Sequence, residues 1–207
     1  MPLSSPPDVS TISLKLGAGR FEFVSVQLLF DPGNISNVFR FKNNKTVGET
    51  LEHPRYEHLG ETFTNDVRPL DRPLGEFLHE LKLKGSLFYK VFLNPYGDEV
   101  YCSFKIADPS VVQSRGVYIY AVEDRIRYVG RCLDNFGKRI NQGYGRIHPK
   151  NCYLDGQSTN CRLNSLIAKH RDVVRFYVCI LDDVSEIKLL ESEILKSLSP
   201  EWNMQGV

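Results

Sequence analysis

GVYIYAVEDRIRYVGRC, Gly116–Cys132, is the stretch whose reading decides the fold. Apolar and aromatic residues alternate on both sides of Glu123, Asp124 and Arg125, which predicts strands over 116–122 and 126–131 joined by a three-residue loop. In that register Tyr120 lies opposite Tyr128 and Tyr118 opposite Gly130, so all three tyrosines share one face. A plain core hairpin would use Val, Ile and Phe. A buried phenol needs a hydrogen-bond partner, so this face must also offer polar groups.

The surroundings of the hairpin are basic. From Arg125 to Arg175 there are eleven Lys/Arg against Asp134, Asp155 and Asp172, whereas the chain as a whole carries only +1. The segment that follows is acidic, with six Asp/Glu against Lys188 and Lys196. Such a block suits either a phosphate-binding surface beside a carboxylate or a solvated charged face. The 42% apolar and 25% charged shares of the 207 residues are those of an ordinary globular chain. No apolar run is long enough to cross a bilayer, and the N-terminus lacks the pattern of a secretory leader. A cytoplasmic protein is expected. Five cysteines without a CxxC pair are expected to be free thiols. A zinc held by His148, Cys152, Cys161 and Cys132 would fit no recognised spacing.

Outward from the hairpin, the pattern divides near residue 110. Residues 1–10 form a Pro/Ser-rich tail, and residues 11–110 are expected to form a smaller β-rich α+β domain for target choice or interaction. Within it, TISLKL, RFEFVSVQLLF, NVFRF, SLFYKVFL and EVYCSFKI read as strands. Residues 43–72 read as irregular connection, PLGEFLHELKLKG as a helix from Pro73 to Gly85, and ADPSVVQSR as a linker. Residues 111–207 read as a second α+β domain. After the hairpin come a short helix through FGKRINQ capped by Asp134 or Asn135, a Gly-rich loop, and a helix from Ser158 or Thr159. A strand VVRFYVCIL and a final helix capped by Ser185 and ending before Pro200 complete it.

Wound at 100° per residue, the final helix gathers Ile187, Leu190, Ile194, Leu195 and Leu198 into a core-facing stripe. Glu191 falls inside that stripe, while Glu186 and Glu193 point away. An ionised carboxylate on a buried face needs a compensating cation. That cation could be an arginine such as Arg139, in a salt bridge, or a metal beside a catalytic cleft.

Tyr118 in GVY, Tyr128 in YVG, Arg139, Glu191 in LLE and Asn203 in PEWN stand in the order found in the GIY-YIG nuclease family, which residues 116–204 resemble. The chain departs from the family in two places. The interval from YVG to Arg139 is about one residue longer than the family's, and Gly143 stands one turn after the arginine, where the family often has His or Tyr. Tyr144 and His148 are the candidates for that group.

The resemblance implies a three-stranded antiparallel sheet flanked by helices, and hydrolysis of DNA phosphodiesters with one Mg²⁺ or Mn²⁺. Glu191 would hold the metal, Arg139 would fork onto the phosphate, and Tyr118 with Tyr128 would handle the proton of the attacking water. Asn203 would orient its neighbours. Arg131, Lys138, Arg146, Lys150, Arg162 and Asn164 are candidate contacts to DNA, each against the alternative of a merely exposed side chain. A type II restriction-like endonuclease acting on double-stranded DNA as a dimer or larger assembly is expected. The alternatives are a structure-specific repair or mobile-element nuclease, and a silent nucleic-acid-binding module.

Overall fold

A computed structural model describes residues 10–17, 19–63 and 69–204, with side chains omitted for 61–63. The tail expected over residues 1–10 lies outside them except for Ser10. Two compact units are formed, one from residues 1–32, 104–146 and 169–207 and the other from residues 33–103 and 147–168.

The first unit is built on a five-stranded antiparallel sheet. Its strands are β1 (Thr11–Leu16), β2 (Gly19–Val26), β5 (Gly116–Val122), β6 (Arg125–Cys132) and β7 (Val174–Ile180), in the order β1-β2-β7-β5-β6. The three strands expected from the resemblance, β5, β6 and β7, are thus extended by an N-terminal hairpin. Val24 pairs with Val178 and Val26 with Phe176. This is why the cut near residue 110 does not follow the units. Local alternation identified β1 and β2 as strands but carried no information about a partner some 150 residues away. Two short strands, β3 (Leu28–Phe30) and β4 (Phe104–Ile106), pair separately.

The hairpin register is the expected one, with Tyr118 opposite Gly130 and Tyr120 opposite Tyr128. Its turn is tighter than expected. Only Glu123 and Asp124 lie in it, both at positive φ, as a two-residue hairpin turn requires. Arg127 is then left as a bulge, because Ala121 pairs with Ile126 while Tyr120 pairs with Tyr128.

Helix α5 (Val184–Leu198) packs over β5 and β6. Ile187, Leu190 and Ile194 meet Val117, Ile119, Ala121 and Val129 in a hydrocarbon core. Leu195 is partly buried there, but Leu198 is exposed near the helix end, contrary to the expected stripe. Asp183 rather than Ser185 caps the helix, its carboxylate accepting from the Glu186 N–H at 2.7 Å.

In the second unit, Phe39, Val47, Leu74, Leu78, Phe92 and Tyr153 are among the core residues. Two expected strands are 3₁₀ turns instead, Val38–Phe41 and Leu87–Phe92. Ser86 caps the latter by accepting from the Phe88 N–H. Of the expected strand over 99–106, only Phe104–Ile106 is β, with Tyr101 bridging Ile35. The segment read as irregular contains α1 (Val47–Leu51), started by a reciprocal Thr46–Glu49 box visible in the sequence as TVGE. Helices α2 (Leu74–Leu83) and α4 (Ser158–Lys169) stand where they were expected. The linker of the first unit holds one short helix, α3 (Pro109–Gln113), capped by Asp108. All five cysteines are buried free thiols.

Candidate active site

β5 is buried along its whole length, so its tyrosines belong to a core. Tyr118 and Tyr120 are fully buried and Tyr128 is 8% exposed. Tyr120 packs at 4.9 Å against Phe176. Tyr118 meets Phe136 edge-on at 6.2 Å and stacks with Tyr128 at 6.1 Å. Their hydroxyls nonetheless converge. The Tyr118 hydroxyl donates to the Tyr144 hydroxyl at 3.3 Å and accepts from the Arg139 Nε–H at 3.3 Å. Tyr128 and Tyr144 share a hydrogen bond of 3.3 Å.

The glycine of YVG makes this possible. A Cβ on Gly130 would stand 2.4 Å from the Tyr118 hydroxyl oxygen, so only glycine lets that ring lie across β6.

Arg139 and Tyr144 come from one helical segment, Gly137–Tyr144, which begins where the Asn135 side chain accepts from the Lys138 N–H. The segment is wound as a π-helix, with the Gly145 N–H donating to the Ile140 carbonyl. In an α-helix, residues five apart point about 140° away from each other. With i→i+5 bonding that angle narrows sharply, and the Arg139 guanidinium sits 5.0 Å above the Tyr144 ring. Of the two candidates for the group after Gly143, it is Tyr144 that this winding brings into the hydroxyl cluster. His148 is exposed and belongs to the second unit. Gly145 ends the segment where a side chain cannot fit, since a Cβ there would lie 2.0 Å from the Phe104 carbonyl.

Burial pushes the Tyr118 hydroxyl well above its ordinary value of 10.0, and the neighbouring Tyr128 and Tyr144 hydroxyls add to the shift while Arg139 opposes it. Burial likewise raises Tyr128, with Tyr144 adding to it. Both phenols are therefore neutral at pH 7, and Arg139 does not turn either into a resting phenolate. The Arg139 side chain keeps solvent exposure, so its guanidinium can meet an anion from outside.

Glu191 projects from α5, the helix on the other face of β5 and β6. Its carboxylate is 14% exposed and takes a 2.5 Å hydrogen bond from Arg131, which is 45% exposed. The cation that compensates the carboxylate is thus Arg131, not Arg139. Arg131 is therefore engaged within the protein, although it was read as a DNA contact. Among the described residues, no group of three His, Cys, Asp or Glu side chains could hold a metal. Glu191 offers one hard carboxylate, whose Oε2 takes the Arg131 hydrogen bond. Mg²⁺ accepts such a ligand where water and phosphate complete the octahedron.

Asn203 is a backbone partner. Its side chain accepts from the Val129 N–H at 2.9 Å and donates to the Val129 carbonyl at 2.7 Å, while the Trp202 N–H donates to the carbonyl of the bulged Arg127. Of the other expected DNA contacts, Lys138 pairs with Asp134 at 2.6 Å on the surface and Arg146 is exposed. Lys150, Arg162 and Asn164 belong to the second unit. There Arg162 lies over the Tyr96 ring and Lys150 is exposed. Asn164 is wholly buried, its amide holding both backbone groups of Cys102, which corrects its reading as a DNA contact.

Comparison with known proteins adds a partial likeness. The chain is similar over 90 residues, 43% of its length, to UvrABC system protein C of Xanthomonas campestris pv. campestris at 33% identity. The same span is 34% identical in the Xylella fastidiosa protein of that name and 32% in that of Stenotrophomonas maltophilia. It amounts to 12% of each relative's length. No family model and no solved structure matches the chain. No helix among the described residues is long and apolar enough to cross a membrane.

Proposed function

We propose that the first unit is a GIY-YIG-type endonuclease that hydrolyses phosphodiester bonds of double-stranded DNA. The observation that carries this reading is the hydrogen-bonded set Tyr118, Tyr128, Tyr144 and Arg139, gathered on one hairpin and one π-helical segment. The 90-residue likeness to UvrABC system protein C supports it independently of that geometry. Because the relatives are UvrABC proteins and not restriction enzymes, a repair-type, structure-specific target now leads, ahead of the restriction-like one.

In this reading Arg139 binds the scissile phosphate through the guanidinium nitrogens not given to Tyr118. Neutral phenols cannot act as strong bases. They can relay a proton, each hydroxyl accepting one as it donates its own, so that the proton lost by the attacking water ends on the leaving oxygen of the phosphodiester. Glu191 is the ligand available to a divalent cation, and Arg131 holds it in place. Mg²⁺ or Mn²⁺ bound there would neutralise phosphate charge and acidify the attacking water. Double-strand cleavage by one site per chain further requires two chains or two encounters, and light scattering of the protein on a duplex distinguishes them.

The test is cleavage of unmethylated phage DNA and of branched duplexes with Mg²⁺, followed by sequencing of the ends. Ends at branches support the repair-type target, and a fixed motif at every end returns the reading to restriction. Glu191→Gln should abolish cleavage while DNA binding without metal persists, and Glu193→Gln should cut like the parent. If Glu193 is essential and Glu191 is not, the assignment of the metal ligand fails.

A further inference from the structure

The second unit contains a small basic pocket that the hydrolytic chemistry does not use. Lys42, Asn44, Lys45, Thr50, His53, Tyr56, Lys150 and Asp155 line a cavity of about 170 Å³. Three ammonium groups here face one carboxylate, and one of the three is buried. Lys42 is only 8% exposed, with its ammonium 4.7 Å from the centre of the Tyr153 ring. Among the described residues that ammonium has neither a hydrogen-bond acceptor nor a carboxylate within ion-pair distance.

Asp155 does not fill this role. Its carboxylate accepts a 2.6 Å hydrogen bond from the Tyr56 hydroxyl and attracts Lys42 only from beyond ion-pair range. Burial pulls the Lys42 ammonium below its ordinary value, Asp155 opposes this, and Lys45 and Lys150 add to it. A buried cation flanked by two more is costly unless an anion joins it.

The uncharged groups fit the same ligand. His53 accepts from the Arg55 N–H through Nδ1, which puts the proton of its neutral ring on Nε2 as a donor. The Asn44 amide adds two more donors. The cavity is well below the roughly 300–1,000 Å³ that encloses a whole drug-sized ligand. It has room for a tetrahedral anion but not for a nucleoside.

We infer that this pocket is a phosphate-group site, in which Lys42, Lys45 and Lys150, with His53 and Asn44, hold one phosphate of a nucleic acid whose remainder lies outside. The choice of nucleic acid as the source rests on the proposed function, but the preference for phosphate does not. Lys42 supplies a fixed charge inside the cavity, and the more exposed Lys45 and Lys150 close over the outer oxygens.

The experiment is a phosphorus NMR titration of inorganic phosphate against the full chain without divalent metal, so that no cleavage is involved. Saturable binding is expected. It should weaken roughly tenfold or more in Lys42→Met and in Lys150→Ala, and should be unchanged in Lys90→Ala, a surface lysine outside the pocket. Lys150 is exposed, so its variant reports even if Lys42→Met folds poorly. A second arm compares duplexes with and without a 5′-phosphate. A terminal-phosphate site favours the phosphorylated duplex, and this preference disappears in Lys150→Ala. A backbone site binds both duplexes alike, and Lys150→Ala lowers the salt dependence by about one phosphate contact. Unsaturable binding, or binding that neither variant weakens, overturns the inference whatever the chain does to DNA. An adventitious ion only, bound equally by parent and both variants, is the form that failure would take.

Discussion

On β5 the odd-numbered residues Val117, Ile119 and Ala121 pack beneath α5, and the even-numbered Tyr118 and Tyr120 pack on the opposite face. Both sets are buried, yet they do different work. The first face is hydrocarbon against hydrocarbon and contributes stability by exclusion of water. The second holds comparable bulk but threads the Tyr118 hydroxyl through it, so that ring has an apolar body and a polar end held between Arg139 and Tyr144. One strand thus separates stability from chemistry by residue parity, and a single-atom change on one face should do what a three-carbon change on the other cannot.

The largest expected effect comes from exchanging the tests between faces. Tyr118→Phe removes one hydroxyl, and the cleavage rate should fall by roughly 10²–10⁴. Stability should change by about 1–3 kcal/mol at most, the worth of the two hydrogen bonds that hydroxyl makes. Ile119→Ala should cost about 2–5 kcal/mol in denaturant unfolding while the folded fraction cuts at the parent rate. If the stability loss falls on Tyr118→Phe and the rate loss on Ile119→Ala, the division by face is wrong.

Next in size is the choice between two candidate partners. Tyr144→Phe removes the hydroxyl shared by Tyr118 and Tyr128 and should slow cleavage by roughly tenfold or more, at little cost in DNA affinity. His148→Ala should leave the rate of cleavage near the parent's. The reverse result would mean that the π-helical register does not set the chemistry. A stability change of intermediate size is expected at Asn203. Asn203→Ala deletes two hydrogen bonds to Val129 and should cost about 1–3 kcal/mol, read as a lower urea midpoint.

The smallest effect is seen only in alkali. Tyr118 and Tyr128 are raised above 10.0 in the folded protein, so above about pH 10 the unfolded chain sheds phenol protons that the folded one retains. Stability should be intact below that pH and decline as pH rises beyond it. Removing both phenols with Tyr118→Phe and Tyr128→Phe should flatten the decline, and an unchanged slope would place the sensitivity elsewhere.

What could be read from the sequence followed the range of the interactions involved. The pairing of Tyr118 with Gly130 follows from alternation within seventeen residues, and Glu191 was singled out by helical phase alone. Pairing of β2 with β7 is a long-range event that no local period encodes. The π winding was hidden for a different reason, since a turn assumed to be 3.6 residues long leads from Arg139 to Gly143 and stops short of Tyr144. Asn164 was misread because a polar residue in a basic block looks exposed until its partner, the Cys102 backbone, is known. The Thr46–Glu49 box was readable and was passed over in a polar stretch.

The short run after α5 protects one edge of the sheet. β6 is an outermost strand, and its unpaired N–H and C=O groups would ordinarily offer a template to a strand of another molecule. The Arg127 carbonyl is already taken by the Trp202 amide and both groups of Val129 by the Asn203 side chain, and the bulge at Arg127 spoils the regular repeat that an incoming strand would need. The chain thus caps the β6 edge of its sheet with a few residues and so guards that edge against pairing with another molecule.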